Sequence, residues 1–102
     1  MEVSLSARHG DLHKDSQEYI ERKLPKLSHI FDRLISIQVM VDFQSTEPLV
    51  ELLVEAEHKH DFVAKESGPS VTAAFDSALD KMEGQLRKYK EKIQDHHRRS
   101  LA

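Results

Sequence analysis

The stretch LISIQVMVDFQSTEPLVELLVEAEH, residues 34–58, contains two runs in which apolar and polar side chains alternate. This period of two is typical of β-strands with one buried face, and it predicts strands over Leu34–Phe43 and Leu49–His58. The polar segment Gln44–Pro48 between them predicts a hairpin loop. Because polar residues fill the alternate positions of both runs, we expect one face of the sheet to be exposed to water. The positions assigned to the buried face are Ile35, Ile37, Val39, Val41, Phe43, Val50, Leu52, Val54 and Ala56.

Two shorter strands flank this hairpin. Glu2–Ala7 alternates in the same way and predicts a first strand with Val3, Leu5 and Ala7 on one face. Asp61–Lys65 predicts a fourth strand, whose inward residues are Phe62 and Ala64.

Two other segments have the three-and-four spacing of apolar residues that is typical of amphipathic helices. The first is Lys14–Phe31, where Pro25 predicts a kink or an early end because proline removes a helix hydrogen bond. The second runs from Val71 to about Ile93, and Ser70 is a favourable N-cap for it.

The predicted order is therefore β-α-β-β-β-α, an α+β fold. Both helices are expected on one face of a four-stranded sheet, since nothing else in the chain covers its apolar side. The crossover through the first helix predicts that strand one lies parallel to strand two or a neighbour. We expect one domain over residues 1–95, followed by a short basic tail, residues 96–102.

Composition excludes several classes of function. The chain has 102 residues and no cysteine, which excludes disulfides, thiolate nucleophiles and zinc–cysteine sites. No nucleophile elbow, dinucleotide-binding glycine motif or phosphate loop occurs, so we expect neither an enzyme nor a cofactor. The start of the chain lacks the pattern of a signal peptide and no apolar run is long enough to span a membrane, which favours a cytoplasmic protein.

The net charge of −3 is unevenly distributed along the chain. Residues 1–41 carry six basic and six acidic side chains. Residues 42–79 carry two basic and eight acidic side chains, and residues 80–102 carry seven basic and four acidic ones. A partner bearing phosphates would therefore be expected to bind the first and last segments.

Helical geometry places the basic residues of these segments on distinct flanks. Lys81, Lys88 and Lys92 lie on one flank of the last helix, and Arg87 and Lys90 lie on the other. The four-residue spacing of Glu83 and Arg87 predicts an ion pair within the helix. In the first helix Tyr19, Lys23 and Lys26 share a flank, with Arg22 just outside it. These side chains would bind a phosphate backbone or, as charged helix faces usually do, simply face solvent.

Seven histidines raise the question of a metal site. A strand through His58 and His60 would place both rings on one face, but no third ligand or His-Glu-x-x-His spacing accompanies them. We therefore expect surface histidines and no bound metal.

The stretch AAFDSALDKMEGQLRKYK, residues 73–90, resembles the last helix of the ribosome hibernation factors, also called ribosome-associated inhibitors or ribosome-subunit interface proteins. The resemblance extends to Arg8-His9, Glu18-Tyr19-Ile20-Glu21, Lys23-Leu24 and Phe31-Asp32-Arg33, and covers essentially residues 1–93. The chain has the length of a short-form member. It departs from the family pattern at Ser70, Thr72 and Gly84.

The resemblance implies a fold similar to that of double-stranded-RNA-binding domains. It also implies binding to the small ribosomal subunit, in the channel for mRNA and for A- and P-site tRNA. Such binding would compete with mRNA and tRNA and silence idle ribosomes under stress or in stationary phase. The expected contacts join basic side chains to rRNA phosphates. These side chains are Arg8, Lys23, Lys26, Lys81, Arg87, Lys88, Lys90 and, from helix geometry, Arg22 and Lys92.

An alternative function is a diverged paralogue that acts as a protein-interaction or regulatory module with weak or no ribosome binding. Its surface would be the polar sheet face around Glu51, Glu55 and Glu57. A small metal protein using His58 and His60 is the third hypothesis.

Overall fold

The computed structural model describes the backbone of residues 1–101 and the side chains of residues 1–58 and 60–94. The strands are β1 (Glu2–Arg8), β2 (Leu34–Asp42), β3 (Leu49–Ala56) and β4 (His60–Ser67). The helices are α1 (Lys14–Lys23), α2 (Pro25–Ile30) and α3 (Val71–Leu101), and a 3₁₀ turn, Glu57–Lys59, joins β3 to β4. The predicted β-α-β-β-β-α order and α+β class are confirmed.

The four strands form one sheet in the order β1-β2-β3-β4. β1 is parallel to β2, as the crossover predicted, while β2–β3 and β3–β4 are antiparallel hairpins. The helices cover one face, and α3 packs against β3 and β4. The core between the layers comprises Ile20, Leu24, Leu27, Phe31, Ile37, Val39, Val41, Val50, Leu52, Val54, Ala64, Ala74, Phe75, Ala78, Leu79, Met82 and Leu86.

Pro25 divides the predicted first helix, as expected. α1 ends at Lys23, and Pro25 occupies the first turn of α2, where its missing N–H removes no helix hydrogen bond. Ser70 caps α3 as predicted, because its Oγ accepts a hydrogen bond of 3.1 Å from the backbone N–H of Ala73.

Three details differ from the sequence prediction. Ile35 was expected on the buried face but is 43% exposed, because the β2–β3 register is irregular between Leu34 and Ser36. β3 ends at Ala56, and His58 has a positive φ of 67° in the turn that follows. The backbone of α3 continues past Ile93 to Leu101, so the proposed tail begins within a helix. The division at residue 95 stays a prediction.

Candidate nucleic-acid interface

The nine predicted RNA-binding residues lie on three different surfaces of the molecule. One is on the uncovered face of the sheet, several line the helix layer where α1 and α2 meet α3, and the others follow the β4 side of α3. Each surface has its own charge environment, described in turn below.

Arg8 lies on the uncovered face of the sheet, opposite the helices. Its Nη2 is 2.7 Å from the Sδ of Met40, on the neighbouring strand. The turn after it is fixed by Asp42, whose Oδ1 accepts a 2.9 Å hydrogen bond from the Gln44 N–H and lies 3.0 Å from the His9 ring. The pKa of Asp42 is lowered mainly by the hydrogen bond from the Gln44 backbone N–H and, to a smaller extent, by the hydrogen bond with His9. The structure therefore separates Arg8 from the basic residues of the helices.

A groove of about 240 Å³ runs between α1–α2 and the first half of α3. Lys23 and Lys26 line it from one side and three carboxylates from the other, so its charged groups sum to −1. These carboxylates belong to Asp76, Asp80 and Glu83. Although Lys23 and Lys26 lie in this groove, the three carboxylates make it unfavourable for binding phosphate.

Tyr19 connects the two sides of this groove. Its hydroxyl donates to the carboxylate of Asp76, with distances of 2.8 and 2.9 Å to the two oxygens. This hydrogen bond is the main reason that the pKa of Tyr19 is raised above its usual value of 10.0. The Arg22 guanidinium carbon and the Lys23 Nζ lie 5.6 and 5.5 Å from the centre of the tyrosine ring, within cation–π range.

Glu83 is the one charged side chain that is buried among the described residues. Lys26 Nζ lies 3.0 Å from its Oε1, and this contact is an ion pair without the angles of a hydrogen bond. The predicted pairing of Glu83 with Arg87 is therefore replaced by a contact between α2 and α3. Lys26 consequently contributes to the packing of the helices as well as to the surface charge.

The opposite flank of α3 lies beside β4. Lys81 Nζ is 3.0 Å from Glu66 Oε2, and Gln85 Nε2 donates a 2.9 Å hydrogen bond to the carbonyl of Val63. Lys88 and Lys92 share this flank by helical geometry and are exposed.

Arg87 and Lys90 lie on the α2 side of the second half of α3. Lys90 lines a cleft of about 320 Å³ together with Arg33, Phe31 and Ile93. Arg33 was absent from the predicted RNA-binding residues, although the Phe31-Asp32-Arg33 motif includes it. Its position in the loop after α2 is what brings it to Lys90.

Aromatic packing holds the second half of α3 in place. The Tyr89 ring stacks on Phe31 at 5.4 Å between centres and meets Phe62 edge-on at 5.2 Å. His60, at the start of β4, lies 4.5 Å from the same ring. The basic residues on both sides of Tyr89 are thereby presented from a rigid helix.

Charge separates along α3. Residues 71–83 contain three acids and one lysine, whereas residues 84–94 contain four basic residues and one glutamate. The four basic residues are Arg87, Lys88, Lys90 and Lys92, and no described side chain forms an ion pair with any of them. Among the described residues this half of α3, with Arg33, is the strongest concentration of cations available to phosphate.

The other two hypotheses gain little from the geometry. His58 lies in the turn and His60 on β4, so the predicted shared strand face is wrong. Within the described side chains, no three His, Cys, Asp or Glu residues form a possible metal site. Two acids of the polar sheet face have polar contacts, since Glu51 pairs with Lys65 at 3.3 Å and Glu55 accepts a 3.4 Å hydrogen bond from Ser36.

This combination of a four-stranded sheet, one helical layer and a basic half-helix agrees with the comparison to known sequences. The chain belongs to the family described as Sigma 54 modulation protein / S30EA ribosomal protein, whose profile matches residues 3–94. In the described part of the chain, no helix combines the length and hydrophobicity needed to cross a membrane.

Named relatives support this assignment. A ribosome hibernation promoting factor from Azotobacter vinelandii is 30% identical over 92 residues, which cover 90% of this chain and 85% of the relative. One from Pseudomonas putida is 29% identical over 94 residues, covering 92% and 91%. One from Escherichia coli K12 is 23% identical over 96 residues, covering 94% and 100%.

Two solved structures share the fold. The N-terminal domain of Thermus thermophilus Protein Y superposes with a TM-score of 0.76 at 22% identity, covering 87% of this chain and 99% of that chain. A ribosomal subunit interface protein from Coxiella burnetii gives 0.77 at 21% identity, covering 89% and 99%. At these identities the comparison establishes the fold alone.

Proposed function

We propose that this protein is a ribosome hibernation factor that binds the small ribosomal subunit and keeps idle ribosomes inactive. It occupies the channel for mRNA and for A- and P-site tRNA, and therefore competes with both. A factor of this kind acts in the cytoplasm and regulates translation without catalysing a reaction. The family assignment and the names of the relatives support ribosome association.

The single observation that carries the RNA contact is the charge of the second half of α3. Arg87, Lys88, Lys90 and Lys92 project from a helix that Tyr89 anchors, and Arg33 adds a cation across the cleft. A rigid array of long basic side chains binds phosphates without reading sequence. This surface can therefore bind rRNA even though the whole chain is acidic.

The nine predicted residues are not equivalent in this proposal. Lys26 and Lys81 each lie 3.0 Å from a glutamate, so a phosphate would have to compete with that carboxylate. Lys88 and Lys90 have no described acidic partner, which makes them the stronger phosphate ligands. Arg8, on the other face of the sheet, contacts RNA only if the channel surrounds the protein.

Charge reversal on α3 tests the proposal. We expect Lys88→Glu combined with Lys90→Glu to abolish co-sedimentation with ribosomes at low salt, because two phosphate contacts become repulsive. The matched control is Lys14→Glu combined with Ser45→Glu and Thr46→Glu, three exposed positions away from α3 that together make the same change in net charge. Both variants should keep the helical circular-dichroism signal of the unmodified protein.

Salt dependence makes the same test quantitative. Lys90→Ala should reduce the slope of log affinity against log salt by about one, since it removes one phosphate contact. If the α3 double reversal sediments with ribosomes as well as its control does, the α3 surface is not the RNA contact.

A further inference from the structure

The two edges of the sheet differ in how they are protected against pairing with another strand. β4 carries Lys65, and the carbonyl of Val63 already accepts a hydrogen bond from the Gln85 side chain. β1, residues Glu2–Arg8, has no lysine and no proline, and its register with β2 is regular throughout. Natural edge strands are usually blocked by such features. Within the described chain, β1 is the unprotected edge.

The backbone groups of β1 that point away from β2 can be identified from one hydrogen bond. The Arg8 carbonyl accepts from the Phe43 N–H, so it faces the sheet. Because the pleat alternates, the carbonyls of Ser4 and Ser6 face the same way, and those of Val3, Leu5 and Ala7 face outward. These three residues can pair with another strand without disturbing β2.

The sequence of β1 is complementary to itself in the antiparallel direction. A two-fold axis at Leu5 places Leu5 opposite Leu5, Val3 opposite Ala7 and Glu2 opposite Arg8 of the second copy. Leu5 and the Val3–Ala7 pairs would then exchange both backbone hydrogen bonds, because their groups face outward. Side chains directly opposite are close enough for the carboxylate of Glu2 to reach the Arg8 guanidinium.

The side chains on both faces of β1 are also compatible with pairing between two copies. Val3, Leu5 and Ala7 share the helix-covered face, yet Val3, on the edge strand, is 50% exposed. Pairing of two copies would cover this apolar strip. On the other face, the Glu2–Arg8 pairs would flank the small Ser4 and Ser6 side chains, so no like charges meet.

We infer that β1 is a self-association edge, through which two copies of this chain form a symmetric dimer with a continuous antiparallel sheet. The two-fold axis is perpendicular to the sheet, so both helical layers lie on the same side of the dimer. The interface is small, and the dimer therefore forms in a concentration-dependent equilibrium.

Sedimentation velocity of the full chain, over roughly a hundredfold range reaching about 1 mM, tests this inference. The unmodified protein should shift from monomer to dimer as its concentration rises. Glu2→Arg alone and Arg8→Glu alone should each raise the dissociation constant about tenfold or more, since like charges then lie opposite. The double variant Glu2→Arg with Arg8→Glu restores opposite charges and should recover the dimer. Failure of the double variant to recover it, or a monomer at every concentration, would overturn the inference.

Cysteine cross-linking supplies a second readout that does not depend on charge. The chain contains no cysteine, so a single Leu5→Cys variant introduces one thiol, which faces its own copy across the axis. A mild thiol oxidant such as diamide should convert it to a disulfide-linked dimer, because paired strands bring Cα atoms within disulfide range. The matched control, Val63→Cys on β4, should stay monomeric. Equal cross-linking of both variants would show that the disulfides form by random collision and would contradict specific pairing through β1.

Discussion

At the level of single residues, Gly84 and Gly68 differ in the space that is available for a side chain. A Cβ at Gly84 would meet nothing within 4 Å, whereas a Cβ at Gly68 would lie 3.0 Å from the backbone nitrogen of Ala74. Gly84 interrupts an exposed stretch of α3, where glycine is about 1 kcal/mol less favourable than alanine. The loss of stability at Gly84 therefore comes from the low helix propensity of glycine alone.

We expect Gly84→Ala to raise the free energy of unfolding by about 1 kcal/mol and Gly68→Ala to lower it. Thermal unfolding followed by circular dichroism measures both, and the stabilised variant should melt about 4–8 °C higher. A lower melting temperature for Gly84→Ala would mean that the position makes a contact which the structure does not contain.

Tyr19 gives a residue-level prediction for pH. Its pKa is raised by the hydrogen bond to Asp76, so this contact stabilises the fold below the unfolded tyrosine pKa of about 10 and is lost as pH rises through the folded value. In a Tyr89→Phe background Tyr19 is the sole tyrosine, and its ionisation can be followed by ultraviolet absorbance. Asp76→Asn should lower the midpoint. An unchanged midpoint would show that the hydrogen bond is absent in solution.

Among the elements, α2 and α3 are joined by the ion pair of Lys26 and Glu83. Lys26→Met would leave the buried Glu83 carboxylate without its cation, and we expect a loss of about 1–3 kcal/mol in unfolding free energy. Adding Glu83→Gln removes the buried charge and should recover part of that loss. Urea unfolding of the two single variants and the double variant gives the coupling energy. Strictly additive effects would contradict the pairing.

The elements also show what sequence could and could not predict. The buried faces of β3 and α3 and the break at Pro25 follow from periodicity and from proline chemistry, which act locally. The exposure of Ile35 and the end of β3 before His58 depend on register and on a positive φ, neither of which leaves a periodic signal. Pairings such as Lys26–Glu83 and Arg33 beside Lys90 join residues far apart in the chain. Only the packing of the helices determines them.

For the whole molecule, the sum of charges is a poor guide to the partner. A net charge of −3 by itself disfavours a nucleic-acid partner, but the acids are concentrated in residues 42–79 and in the first half of α3. The second half of α3 carries a local excess of positive charge on a rigid support. A phosphate backbone responds to this local potential, since charges beyond about 8 Å are largely screened at physiological salt.

Ribosome binding through α3 can be measured by sucrose-gradient sedimentation of purified ribosomes with the protein, at low and at high salt. We expect the protein to migrate with the small subunit and the whole ribosome at low salt. We also expect release as salt rises, because counterions replace the lysine and arginine contacts. A protein that stays at the top of the gradient even at low salt would contradict ribosome binding. Binding that is unaffected by salt would contradict the phosphate mechanism.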